Sequence, residues 1–207
     1  MLKTIMQATR ATIVIAVLTG IIFPLVVTAV AQVLFPYQAN GSLIRNAKGE
    51  VVGSALIAQQ FTRAEYFHPR PSAAGSGYAG EASAGTNLGP TSAKLFEGTP
   101  DDPKTPADES FAGVKQLAQA YRKENGLAET GKVPVDAVTR SASGLDPHIS
   151  VANARIQAAR VAKARNLPFD VIMSDVEKAT EQRQFGFLGE PRVNVLLLNI
   201  SLDSKKD

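Results

Sequence analysis

From Ala11 to Phe35 the sequence ATIVIAVLTGIIFPLVVTAVAQVLF carries no charged residue, and after Arg10 the next charge is Arg45. As a helix rising about 1.5 Å per residue, this run is about 37 Å long, enough to cross a hydrocarbon core of about 30 Å with some tilt. Two fates fit it. A cleavable signal is one, because Ala29-Val30-Ala31 has the small-x-small form of a cleavage site; a retained anchor is the other. Length favours the anchor, since a signal core has about 7–15 apolar residues and this run continues through Val33, Leu34 and Phe35. Lys3 and Arg10 lie on the amino-terminal side, so the positive-inside rule puts residues 1–10 in the cytoplasm, 11–35 across the membrane and 36–207 outside. Phe35 and Tyr37 then fall at the outer interface. Gly20 and Pro24, near mid-span, predict a flat face and a kink, as in helices that pack on other membrane helices.

Setting Lys3 and Arg10 aside leaves 20 positive against 19 negative residues, a balance that argues against a nucleic-acid partner. The absence of cysteine excludes disulfides, thiolate zinc sites and cysteine nucleophiles. The two histidines, His68 and His148, stand 80 positions apart without further ligand clusters, a poor basis for a metal site.

The body reads as an α+β domain. Residues 40–61 suggest a hairpin turning at Asn46-Ala47-Lys48-Gly49. Residues 70–92, rich in Gly, Ser and Ala, require no core element and fit a linker, and residues 98–109 fit a solvated acidic loop. A helix is predicted from Ser110 to Asn125-Gly126, with Phe111, Val114, Leu117, Ala118 and Tyr121 on one stripe. Gly126 to Val133, GLAETGKV, satisfies half of a phosphate-loop pattern but lacks the hydroxyl after the lysine and the strand before it, so a helix stop is preferred. Residues 151–165 and about 169–181 predict helices, and residues 190–203, EPRVNVLLLNISLD, a central strand.

The stretch SASGLDPHIS, residues 141–150, invites two readings. Asp146 followed by Pro147 has the form of a helix start, with the carboxylate as cap, proline in the first helical position and Ser150 as a second cap. Alternatively, His148 with a serine such as Ser143 could serve a hydrolase, although no G-x-S-x-G occurs. Capping is preferred. A free solute-binding or adhesive module is a further alternative.

The ordered motifs FPYQANGSLI, GSALIAQQF, YFHPRPSA, ASAGTNLGPTS, VPVDAVTRSASGLDPHIS, RVAKARNLP and GEPRVNVLLLNISLD resemble the C subunits of Kdp-type potassium-transporting P-type ATPases, almost end to end. The chain departs from that family's usual pattern at Pro69, at Val151 and in the form Gln157-Ala158-Ala159-Arg160. The resemblance implies a non-catalytic accessory subunit in the inner membrane, anchored by a retained span. Its implied partners are a channel-like potassium-conducting subunit, a P-type ATP-hydrolysing subunit and a small additional membrane peptide. It also implies a catalytic-chaperone role that raises ATP affinity, carried here by Gln157 and Arg160. Because the predicted topology separates these residues from cytoplasmic ATP, that effect is expected to be indirect; no cofactor is tightly bound, and ATP is handled by, or shared with, the partner subunit. Expected partner contacts are Gly20 and Pro24 in the span, and Tyr66, His68, Arg70, Ser72, Thr86 and Asn87 in the loops.

Overall fold

The computed structural model describes residues 1–46, 48–99 and 111–204, and it comprises two compact units, Met1–Ser54 and Ala55–Asp207. In the first unit the apolar run is helical throughout, as α1 (Leu2–Val17), a π-helical turn (Leu18–Ile22) and α2 (Phe23–Leu34). This 33-residue rod is long and apolar enough to cross a membrane, and its most apolar stretch is not buried inside the structure. It begins well before the charge-free run because residues 2–10 hold no glycine or proline to break it. Pro36 sets its end: a residue before proline disfavours the α region, and Phe35 adopts φ −136°, ψ 54°. Pro36 then opens a one-turn helix, α3 (Pro36–Ala39), at the position where its missing amide costs nothing.

Beyond it, β1 (Leu43–Arg45) pairs antiparallel with β2 (Val51–Ser54). The Asn46 side chain accepts from the amides of Lys48 and Glu50, each at 3.0 Å, and Gly49 takes φ 82°, so local chemistry makes the turn. The hairpin is shorter than the predicted 40–61 and ends at Ser54.

The second unit contains the core. Its described elements are α4 (Ala93–Glu97), α5 (Val114–Glu124), a 3₁₀ turn (Val135–Ala137), β3 (His148–Ser150), α6 (Val151–Arg165), α7 (Phe169–Lys178), β4 (Thr180–Glu181), β5 (Arg192–Asn194) and α8 (Val195–Asp203). The strands form an antiparallel sheet in the order β3-β5-β4, with Ile149 opposite Val193 and Thr180 opposite the same valine. Ala154, Ala158, Val161 and Ala162 lie along one buried face of α6, and their small side chains let Ile172 and Val176 of α7 approach closely. Phe67, Leu198 and Leu202 complete this core. Tyr121, Ala137 and Val138 centre a smaller cluster that packs on α5.

Three predicted elements are corrected. Residues 190–203 are not one strand: β5 stops at Asn194, whose side chain accepts from the Leu197 amide at 3.2 Å and caps α8. Val195, Leu198, Asn199 and Leu202 are then buried at helical spacing, so tertiary packing overrides the β-propensity of the run. Asp146-Pro147 starts no helix either. The Asp146 carboxylate accepts from the His148 amide at 3.0 Å, and the Pro147 carbonyl accepts from the Val195 amide at 2.9 Å, which commits the following residues to the sheet. Ser150 caps α6, its Oγ accepting from the Asn153 amide at 3.1 Å. Finally, α5 begins at Val114 rather than Ser110, which with most of the acidic loop lies outside the described residues. A Cβ on Gly113 would come within 2.7 Å of the Phe96 carbonyl, so the backbones cross there and the helix starts only beyond the crossing.

Candidate functional site

Gln157 stands on the inner face of α6, 2% exposed, and every capacity of its carboxamide is used. Its Nε2 donates to the His68 carbonyl (3.0 Å) and to Asn153 Oδ1 (2.9 Å). Its Oε1 accepts from the His68 amide (2.7 Å) and from the Arg160 guanidinium (2.9 Å). One residue upstream the same device recurs. Asn199 on α8, also buried, accepts from the Phe67 amide and donates to the Phe67 carbonyl, both at 2.9 Å. Two carboxamides on two helices thus grip consecutive residues of an irregular segment as a neighbouring strand would, supplying the partners its buried backbone needs.

Two arginines of α6, both with buried side chains, hold the same segment. Arg160 donates to the carbonyls of Ala64 (2.6 Å) and Tyr66 (3.0 Å) and to Asn125 Oδ1 (3.1 Å). Arg165 donates to the carbonyls of Glu65 (2.7 Å) and Leu202 (3.0 Å) and pairs with Asp203 at 2.9 Å. Burial lowers the pKa of the Arg160 guanidinium, and Glu124, 3.5 Å away, opposes that effect. His68 Nδ1 meets Glu124 at 2.6 Å, and this hydrogen bond holds the Glu124 carboxyl below the usual range. Together His68, Glu124, Arg160, Phe61, Lys123 and Lys163 line an open cleft of about 990 Å³.

The second predicted cluster is bonded differently from a triad. His148 directs Nδ1 to Asp146 (3.3 Å) and Nε2 to Glu181 (3.5 Å), so both ring nitrogens face carboxylates. Ser143 Oγ accepts from the Leu145 amide at 3.1 Å and lies 3.4 Å from Ser141 Oγ. Nucleophilic chemistry needs a serine hydrogen-bonded to its base, and the His148 ring is not so placed. Asp146 instead anchors Arg70 at 2.9 Å. Burial acts to raise its pKa, but bonds from the His148 ring and amide and from Arg70 outweigh it and hold Asp146 at about 2. Because the folded value lies below the ordinary aspartate value of about 3.9, this carboxylate stabilises the fold above about pH 4 and loses that effect as pH falls toward 2. Partly exposed as it is, the contribution is about 1–2 kcal/mol. Urea midpoints at pH 7 and pH 3 should therefore differ less for Asp146→Asn than for the native chain; equal differences would remove Asp146 as a source of acid lability.

The predicted contact residues are largely occupied within the body. Tyr66 donates to Asp203 at 2.9 Å, and Ser72 Oγ donates to the Gly144 carbonyl at 2.6 Å while accepting from the amides of Ala74 and Tyr78. Tyr78 donates to the Arg70 carbonyl at 2.8 Å, and burial pushes its phenol up to about 12. Residues 70–92 contain no helix or strand, yet they are bonded onto the body rather than serving as a loose linker. Thr86 is half-buried and Asn87 exposed at φ 53°.

Sequence reasoning missed Asn199, Arg165 and Asp136, the last accepting from the Ser150 amide, the Ser150 hydroxyl and Asn153. It also missed Phe185 and Phe187, 87% and 70% exposed beside Gly186 on a loop closed by the Gln184–Leu188 bridge. Two near-adjacent aromatics around a glycine were its only signal. Among the described residues no group of three or more His, Asp or Glu could hold a metal ion.

The chain thus combines a helix long and apolar enough to cross a membrane with a folded unit whose candidate site residues are bonded to its own loops. The family model described as KdpC, K⁺-transporting ATPase, c chain, matches residues 5–204. A potassium-transporting ATPase KdpC subunit of Myxococcus xanthus is 53% identical over 205 residues, 99% of this chain and 90% of that one. Subunits of the same description from Mycobacterium tuberculosis (50% over 203 residues, 98% and 99% covered) and Caulobacter vibrioides (52% over 190 residues, 91% and 87%) are also similar. The chain belongs to the KdpC family: it is a subunit of a potassium-transporting ATPase and not the catalytic subunit itself.

Proposed function

We propose that this subunit is a single-pass inner-membrane protein, amino terminus in the cytoplasm and body outside, that stabilises the assembly of the pump. The observation that carries this reading is the Leu2–Leu34 rod, whose apolar surface finds no cover within the structure and requires lipid or partner helices. Its partners are the channel-like potassium-conducting subunit and the ATP-hydrolysing subunit, with a small membrane peptide as a further neighbour. Gly20 and Pro24 face partner helices, and the loops bearing Tyr66, His68, Arg70, Ser72, Thr86 and Asn87 meet the outer surface of the channel-like subunit. The internal bonds of four of these residues support a contact surface of fixed shape rather than a set of free side chains.

ATP is handled by the hydrolysing subunit. Any increase in ATP affinity acts as a coupling free energy transmitted through the assembly. The saturated bonding of Gln157 supports that indirect route, because a nucleotide touching its carboxamide would have to displace a partner it already has.

Co-expression with the other pump subunits, gentle detergent extraction and protease accessibility test this reading together. The expected chain co-elutes with the larger subunits, keeps residues before Gln32, and is cut in its body only from the outside. A mature chain starting at Gln32, or a body cut only from the cytoplasmic side, would overturn it.

A further inference from the structure

The π-helical turn leaves the middle of the rod short of hydrogen-bond donors. The Phe23 amide bonds the Leu18 carbonyl, five residues back. Pro24 has no amide to give. Ile22 is the residue before α2, and the i→i−4 register of that helix assigns its carbonyl to the Val26 amide. Between these two bonds lie three carbonyls, Thr19, Gly20 and Ile21, and one remaining amide, Leu25. In the i→i−4 register of α2 that amide belongs to Ile21, which leaves Thr19 and Gly20 without a backbone donor. A π-turn costs one bond and a proline costs another; here they fall together.

Hydroxyls of the rod do not fill the gap. Thr19 Oγ donates to the Ile15 carbonyl (2.8 Å), Thr28 Oγ to Pro24 (2.8 Å) and Thr9 Oγ to Ile5 (2.9 Å). The two carbonyls sit near the centre of the uncharged run, where the hydrocarbon interior offers no water and an unsatisfied backbone group is costly. Access is open at one side, because Gly20 has no side chain and a Cβ placed there would meet nothing within 4 Å.

We propose that the freed carbonyls of Thr19 and Gly20 form an acceptor site within the membrane for a hydroxyl or carboxamide donor on a transmembrane helix of another pump subunit. This deepens the assembly reading above and rests on it. Gly20 provides the notch through which the donor helix approaches, and Pro24 keeps the acceptors free by withholding an amide. Lipid chains carry no donor and cannot occupy the site with equal gain, which favours a protein helix.

Gly20-Ile21 is the only Gly-Ile step in the sequence, so carbonyl-¹³C glycine combined with ¹⁵N isoleucine isolates the Gly20 carbonyl as one filtered NMR signal in the full, unmutated chain. The signal is compared between the labelled chain alone in bilayers and the same chain assembled with unlabelled pump subunits. A downfield move on assembly, as a carbonyl gains a hydrogen bond, is the expected result. An unmoved signal in a complex that does assemble would overturn this inference and leave the assembly reading standing. A signal already downfield in the chain alone would overturn it too, showing that water or the chain itself supplies the donor. Failure of the native chain to co-purify at all would bring down both. In parallel, Gly20→Ile should reduce recovery of the subunit with the pump about threefold to tenfold by closing the notch. Recovery equal to the native chain would count against the site.

Discussion

A Gln157→Leu chain is expected to melt about 6–12 °C below the native chain, a loss of about 3 kcal/mol in a body of this size. Leucine fills nearly the same volume, so the effect is not a cavity. It arises because the His68 amide and carbonyl and one Arg160 nitrogen all lose a partner at once, while Asn153 Oδ1 keeps the Tyr121 hydroxyl at 2.8 Å. Each such group, if buried, costs about 1–3 kcal/mol when left unsatisfied, and partial access of water to the His68 side keeps the sum toward the low end. Arg155, exposed on the same helix, is the control: Arg155→Ala should move stability by about 0.5 kcal/mol or less. A Gln157→Leu melting point within about 2 °C of native would show that the 64–68 segment holds without the clamp. Activity of the pump must be read with this in mind, because an unstable clamp would reduce ATP turnover with no nucleotide near Gln157.

That clamp also shows where reading the sequence stops. Elements whose cause lies within a few residues were legible: the charge-free rod, the Asn46–Gly49 turn and helix α6 with its alanine face. Elements decided by distant partners were not. Gln157 reaches His68 across 89 positions and Asn199 reaches Phe67 across 132, and no local pattern announces either pairing. The run 190–203 shows the same limit within one segment. Its β-branched and leucine-rich composition is compatible with strand or helix, and the Asn194 cap with the packing of Leu198 and Leu202 decides for helix beyond that residue. Of the two caps that SASGLDPHIS offers, Asp146 and Ser150, the structure uses Ser150, at the head of the predicted helix 151–165. Pairing of His148–Ser150 with Arg192–Asn194, over 40 residues away in sequence, delays the helix until Val151. The candidate catalytic pair dissolves for a related reason, since Arg70 and Glu181 come in from elsewhere to occupy Asp146 and His148.

Gly144→Val is the second substitution with a large expected effect, about 3–5 kcal/mol, and it tests whether residues 70–92 are truly part of the body. Gly144 has φ 67°, a region a β-branched side chain enters only with strain. Space is lacking as well: a Cβ there would lie 2.6 Å from the Ala84 carbonyl and 2.8 Å from the Ala74 amide nitrogen, both backbone atoms. The loop cannot simply move aside, because Ser72 Oγ donates to the Gly144 carbonyl and the Ala84 amide donates to the Ser143 carbonyl at 3.0 Å. Gly126 provides the matched comparison. It has φ 65° but nothing within 4 Å of its would-be Cβ, so Gly126→Val carries the conformational cost alone, about 1–3 kcal/mol. The difference between the two urea-derived stabilities therefore measures the packing of the loop against 141–145, separated from backbone strain. A larger loss at Gly144, accompanied by new protease cleavage within 70–92, would establish that these glycine- and serine-rich residues are fixed structure. Equal losses at the two glycines would mean that the loop yields freely, and that any partner surface it carries takes shape only on assembly.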